Sequence, residues 1–352
     1  MKQLDEQTKQ RRVAYWLLVG VFMIIIQIII GGVTRLTGSG LSITEWNPIM
    51  GAIPPLSEQE WLIAFEKYKG IAQFKYLNAS FTVSDFKFIF FWEWFHRLWA
   101  RSLGVVFAIP FIYFLVKKYF SKDMVGPLVL LFILGGLQGL VGWIMVQSGL
   151  NDTDIYVSHI RLSIHFMSAI VLLVYTFWFA VKLLVPKTAV RHNVKVKNIL
   201  LATMTLLTIQ LFYGGFMAGL KAAIYAPTWP SINGSFAPDT LADKSFVSEP
   251  LNVHFIHRML AYILVILIFW SYFVIKKELK DTISSYLSKS LKWPFIIVLV
   301  QVTLGVLTVL SAVKITPGKF GLFETFAELH QIIGLALLLI LVYQFFLVRK
   351  IN

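Results

Sequence analysis

Eight long apolar stretches constrain this chain more than any other feature. They cover residues 13–33, 98–116, 125–146, 160–184, 199–220, 255–275, 291–313 and 330–348. Each is near the roughly 20 residues that a helix needs to cross a bilayer. The fold class that follows is an all-α membrane protein with eight transmembrane helices. The composition agrees: 57% of the 352 residues are hydrophobic and 14% charged, against about 45–50% and about 25% in soluble domains. Disorder, a nucleic-acid-binding arm and an ordinary soluble enzyme are excluded.

The net charge of +14 points to basic loops on the cytoplasmic side, not to a nucleic-acid partner. Arg11 and Arg12 precede the first span. Lys117, Lys118 and Lys122 follow the second, Lys187 and Arg191 the fourth, Lys276, Lys277 and Lys289 the sixth, and Arg349 the eighth. Both termini are therefore expected in the cytoplasm, in a bacterial cell (inner) membrane. The first span is too long for a signal-peptide core, and Asp5 and Glu6 do not suit a transit peptide. Cysteine is absent, so no disulfide, iron–sulfur cluster or thiolate metal site exists. The two long segments on the other side, 34–92 and 221–253, are rich in Gly, Pro, Trp and Phe and read as structured caps.

The chain repeats itself. Gln27-Ile-Ile-Ile-Gly31-Gly32 matches Gln210-Leu-Phe-Tyr-Gly214-Gly215 at an offset of 183. Glu93-Trp-Phe-His96-Arg97 matches His254-Phe-Ile-His257-Arg258 at 161. Gln138 and Gly142 match Gln301 and Gly305 at 163, and His165 matches His330 at 165. Two four-helix halves follow, residues 1–198 and 199–352, related by a pseudo-two-fold axis along the membrane normal.

Four of the seven histidines fall at repeat-equivalent places. His96 and His257 open the second and sixth spans, and His165 and His330 open the fourth and eighth. Ionisable groups at membrane depth are costly and usually functional. Two histidines at matching depth on different helices of a bundle suit the two faces of one haem iron; zinc would want four ligands. Each half is thus expected to hold one haem toward the outer face. The halves differ in one respect: Glu93 lies three residues before His96, whereas His254 holds that place before His257. A carboxylate there suits proton shuttling, although it also suits a helix first turn or a pair with Arg97. Arg35, Arg97, Arg101, Arg161, Arg258 and Lys314 lie near outer span ends, placed either for haem propionates or for lipid headgroups. His159 and His254 are weaker candidates for supporting the two sites. Gly38-Ser39-Gly40 lacks the flanking strand and the Gly-Lys-Ser/Thr motif of a nucleotide loop.

The segment Gly31-Gly32-Val33-Thr34-Arg35-Leu36-Thr37-Gly38-Ser39-Gly40-Leu41-Ser42, with Glu45-Trp46 and Gly51-Ala52-Ile53-Pro54-Pro55, resembles the first outer loop of the heme A synthase family. Glu93–Arg97, His159–His165, Val253–Arg258 and Glu328–Gln331 are similar to its histidine motifs. The resemblance extends over about 13–348. It implies oxidation of the C8 methyl group of heme O to a formyl group by successive hydroxylations, giving heme A for terminal oxidases. It also implies His257 and His330 as axial ligands of heme b, His96 and His165 as axial ligands of the substrate haem, and Glu93 as the catalytic residue. Heme O synthase is the implied partner, alongside an electron-transfer partner that the sequence does not identify; a homo-oligomer is compatible with it. Some members carry cysteines in the outer loops. This cysteine-free chain resembles the alphaproteobacterial and mitochondrial branch. The competing reading is a bis-histidine two-haem cytochrome b that only transfers electrons, and Glu93 opposite His254 argues against it. A transporter would want its ionisable groups near mid-membrane.

Overall fold

A computed structural model describes residues 5–46, 50–314 and 320–350. Its α-helices are α1 (Glu6–Leu36), α2 (Glu58–Lys69), α3 (Ala72–Leu77), α4 (Val83–Val116), α5 (Lys122–Gln147), α6 (His159–Leu184), α7 (Val194–Gly219), α8 (Pro250–Glu278), α9 (Ser285–Ser290), α10 (Trp293–Ser311) and α11 (Leu322–Val348). Among the described residues, eight helices are long and apolar enough to cross a membrane: α1, α4, α5, α6, α7, α8, α10 with its α9 lead-in, and α11. All eight expected spans are present.

Several spans begin earlier than hydropathy suggests. The second starts at Val83, where Thr82 and Asp85 form a capping box, instead of at residue 98. Asp85, Lys87, Glu93, His96 and Arg97 dilute the hydropathy of these turns, but Phe86 and Phe90 bury against the outer cap. At about 1.5 Å per residue, this 34-residue helix runs about 50 Å and outreaches the hydrocarbon core. Pro250 opens α8 at a position where its missing N–H costs nothing. Gly321 and Glu324 cap α11. The four histidines consequently do not open their helices; they lie two to four turns inside them.

Neighbour relations recur along the chain. Helix α1 packs on α4 and α6, and α5 packs on α6; α7 packs on α8 and α11, and α10 packs on α11. Helices α1, α6, α7 and α11 meet in the middle. Their buried side chains (Ile24, Ile28, Leu173, Leu207, Leu335 and Leu341 among them) form one continuous core. Close approach at this seam needs glycine: a Cβ on Gly219 would lie 2.6 Å from the His159 main chain. The outer pair α4 and α5 presents apolar side chains outward, including Ile109, Ile112, Phe132 and Ile133. That is the surface lipid requires.

The first outer segment is a folded cap, as its aromatic content suggests. Ser57 and Glu60 form a capping box that starts α2. Phe65, Tyr68, Ile71, Phe86, Ile89 and Phe90 close a small core between the cap and the first turns of α4. Burial pushes the Tyr68 hydroxyl up to about 12, and it is held between Gln73 and Asn78.

Candidate functional site

Each of the four histidines faces a glutamine and a glycine on the neighbouring span. Gln27 and Gly31 of α1 face His96; Gln138 and Gly142 of α5 face His165. Gln210 and Gly214 of α7 face His257; Gln301 and Gly305 of α10 face His330. The spacing of four puts both residues on one helical face. The rings pack so closely that a Cβ on Gly142 would lie 2.8 Å from His165 Cε1, and one on Gly305 would lie 3.0 Å from His330 Cε1. The repeat had marked these glutamines and glycines as equivalent. What it did not reveal is that each pair attends a histidine.

The second-half histidines meet directly. The ring centroids of His257 and His330 are 6.4 Å apart, with planes inclined by 68°. Two imidazoles bonded to opposite sides of one metal at about 2.0–2.1 Å place their centroids roughly 6–6.5 Å apart. His330 Nδ1 lies 2.9 Å from the main-chain oxygen of Gln301. That oxygen can only accept, so Nδ1 carries the proton and Nε2 keeps its lone pair for a metal. The donor set therefore fits a bis-histidine haem. In the first half, His96 lies within electrostatic reach of His165.

Glu93 is buried at 3% exposure and fully engaged. One carboxylate oxygen accepts from Ser42 Oγ at 2.7 Å and from Ile43 N–H at 2.8 Å. The other accepts from Arg97 at 2.6 Å. Arg97 also donates to the carbonyls of Ile43 and Glu45. The pair with Arg97 was a reading the sequence allowed; the bonds from Ser42 and Ile43 were not legible, because they cross from a loop about 50 residues away. Three donors keep this group an oriented acceptor.

The second half builds the same clamp with different chemistry. Arg258 Nε donates to His254 Nε2 at 3.0 Å. Its terminal nitrogens donate to the carbonyls of Ala226, Thr228, Pro230 and Ser231. His254 is fully buried. Thus the residues three before and one after His96 and His257 tie the outer segments down. Arg97 and Arg258, candidates for propionates, are engaged with loop carbonyls.

The remaining candidates are dispersed. Arg35 donates across the seam to the Ala218 carbonyl at 3.2 Å and lies within reach of Glu324 and Glu328. Arg161 donates to the Ile144 carbonyl at 3.0 Å at an exposed site. His159 stacks edge-on to Phe216 and lies 3.5 Å from Ser248 Oγ, so it touches the second half rather than the first-half histidines. Sequence reasoning left out Glu328 as a site residue; it is buried against Gly32, where the equivalent place beside Gly215 holds Ser163.

Known proteins resemble this chain along most of its length. The profile of the cytochrome oxidase assembly proteins designated COX15-CtaA matches residues 14–342. A protein named Heme A synthase from Flavobacterium psychrophilum is 40% identical over 317 residues, covering 88% of this chain and 92% of its own. Its namesake from Parvibaculum lavamentivorans is 36% identical over 311 residues, covering 87% and 88%. Another from Rhodospirillum centenum is 43% identical over 258 residues, covering 71% and 68%. With a family profile spanning nearly all of it and such relatives beside it, this chain belongs to the COX15-CtaA family of cytochrome oxidase assembly proteins.

Proposed function

We propose that this chain is a heme A synthase, a membrane-bound oxidoreductase that converts the C8 methyl group of heme O to the formyl group of heme A. The observation that carries the reading is the near full-length similarity to proteins of that name. The chemistry runs by successive hydroxylations of the methyl carbon; the gem-diol then loses water to leave the aldehyde.

His257 and His330 would hold a resident heme b, which would supply one-electron relay when bound. The 6.4 Å ring spacing supports this assignment. His96 and His165 flank the iron of the substrate haem. Glu93 is the catalytic residue, taking up protons as the methyl group is oxidised; Ser42, Ile43 N–H and Arg97 keep its carboxylate oriented. Arg35 and Arg161 stand at outer span ends for propionates, and His159 and His254 support the surrounding segments.

The two halves, 1–198 and 199–352, are related by a pseudo-two-fold axis. Both termini lie in the cytoplasm of a bacterial cell, and the haem sites face the outer side of its inner membrane. Heme O synthase supplies the substrate, and a separate redox partner exchanges electrons with heme b. Acid–acetone extraction of the purified protein, with mass analysis of the porphyrins, tests the reading. Heme b together with heme O, heme A or a hydroxylated intermediate is expected. Heme b alone, even after expression with heme O synthase, would favour an electron-transfer protein.

A further inference from the structure

The second half holds a cavity at its basic end, far from the four histidines. Tyr343, which lines it, lies about 20 Å along α11 from His330. The cavity measures about 530 Å³ and sits between α9 with the start of α10 on one side and the last turns of α11 on the other; Ser285, Tyr286, Lys289, Trp293, Ile340 and Tyr343 line it. Its walls are fixed. Ser284 caps α9 through the Leu287 N–H, Leu287 is fully buried, and Gln344 of α11 donates to the Ser290 carbonyl at 2.9 Å. Its rim is open, with Tyr286 and Trp293 both exposed.

The polar groups of the cavity lack protein partners. Among the described residues, the Lys289 ammonium makes no ion pair and the hydroxyls of Tyr286 and Tyr343 make no hydrogen bond, while the two phenols lie within electrostatic reach of each other. Residues 276–292 carry five lysines against Glu278 and Asp281, and Glu278 is already paired with Lys195 at 3.1 Å. An ammonium and two hydroxyls without acceptors suit a phosphate. Trp293, Ile296 and Val300 recur at i, i+3 and i+7 along α10 and all are exposed. They form an apolar track that runs from the cavity along one face of the span.

The first half lacks this site, although the same helices start there in the same way. Ser121 and Ser284 are equivalent N-caps at the offset of 163. Beyond them, Asp123, Gly126 and Leu130 stand where the second half has Tyr286, Lys289 and Trp293. Tyr175, equivalent to Ile340, donates to the Pro127 carbonyl at 3.1 Å and bridges the first-half gap. The second half leaves the gap open and lines it with lysine, tyrosine and tryptophan, residue types that gather where a membrane meets water.

We propose that this cavity binds one anionic phospholipid of the bilayer. Its phosphate accepts from Lys289, Tyr286 and Tyr343, and one acyl chain follows Trp293, Ile296 and Val300. Basic pockets between spans recognise lipid headgroups in this way. The apolar track favours a lipid over a soluble phosphate, and the unpaired lysines favour an anionic headgroup over one that carries its own cation. Neither haem site enters the argument.

The test is native mass spectrometry of the full-length protein in detergent, titrated with phosphatidylglycerol, phosphatidylcholine or inorganic phosphate. One phosphatidylglycerol per chain should bind at least about fivefold more tightly than phosphatidylcholine, the effect of one basic residue at a membrane surface. Lys289 is exposed, so Lys289→Gln leaves the fold intact; it should weaken that binding by at least about fivefold, and Lys289→Arg should retain it. Ile340→Trp fills the cavity with every charge in place and should weaken binding as much. Lys122→Gln, on the first-half counterpart helix, should change nothing. Equal affinity for the two lipids overturns the proposal, as does unchanged binding in either Lys289→Gln or Ile340→Trp. Displacement of the lipid by millimolar inorganic phosphate overturns it too, because the site would then serve a soluble anion.

Discussion

Removing the Arg258 side chain separates two roles for this residue. If Arg258 exists to bind a propionate, its loss should leave the haem-free protein unaffected. The structure gives it another task. Arg258 is 8% exposed, and its guanidinium holds His254 at 3.0 Å and the Thr228 carbonyl at 2.6 Å, with Ser231 at 3.1 Å and weaker contacts to Pro230 and Ala226 at 3.4 Å. Hydrogen bonds to a charged group contribute about 1.5–3 kcal/mol each. The three short ones do not add fully, so Arg258→Met should loosen the segment by about 3–5 kcal/mol. At 1.4 kcal/mol per decade, that is roughly a hundred- to several-thousandfold in local opening. Amide hydrogen exchange reads such opening directly. In porphyrin-free protein, peptides covering 226–235 should exchange faster by about two to three and a half decades, while peptides from α10 stay unchanged. Equal exchange in parent and Arg258→Met would refute the clamp and return Arg258 to the propionates.

Other perturbations probe the two proposed haem sites and the seam. Glu93→Gln keeps a near-isosteric acceptor for Ser42 and Ile43 but removes the charge opposite Arg97; heme A output should fall at least about tenfold with heme b retained, as extracted porphyrins will show. His257→Ala should abolish the low-spin bis-histidine spectrum of the second half. Gly305→Ala puts a methyl group 3.0 Å from His330 Cε1 and should shift or lose that spectrum too, which electron paramagnetic resonance can follow. Gly219→Ala forces a methyl group onto the His159 main chain; overpacking of this kind costs about 1–3 kcal/mol and should lower the thermal midpoint of the detergent-solubilised protein.

Much of this architecture is legible in sequence because lipid imposes a simple rule: a spanning segment must be long and apolar. The rule finds all eight spans and misplaces their ends. Residues 83–97 mix Phe and Trp with Asp85, Glu93, His96 and Arg97, so hydropathy cuts the helix there, whereas hydrogen bonding continues it from Thr82. The repeat reveals the histidine positions because a shared offset needs no knowledge of packing. It is silent on partners from other parts of the chain. Ser42 on Glu93, and the carbonyls of 226–231 on Arg258, join segments that sequence order keeps apart. The i, i+4 pairing of glutamine with glycine was the readable signal for the histidine cradles.

The repeat also bears on how the two sites came to differ. Glu93 and His254 occupy equivalent places and perform the same mechanical task, each joined to the arginine four residues on and through it to an outer segment. A neutral imidazole and a carboxylate both accept from arginine, so the clamp alone does not require a carboxylate. What the carboxylate adds is a charge and two further bonds, from Ser42 and Ile43, that His254 has no atoms to receive. Retaining the clamp while changing its acceptor would let one half gain a proton-accepting group without a new fold. Exchanging the two residues provides the corresponding experiment. Glu93→His should leave Arg97 on the Ile43 and Glu45 carbonyls while losing the Ser42 and Ile43 bonds, so the first outer segment should open more slowly than in Glu93→Ala, yet the variant should make no heme A. If the segment opens as fast as in Glu93→Ala, the carboxylate is needed for the clamp itself, and the separation of mechanical from chemical roles fails.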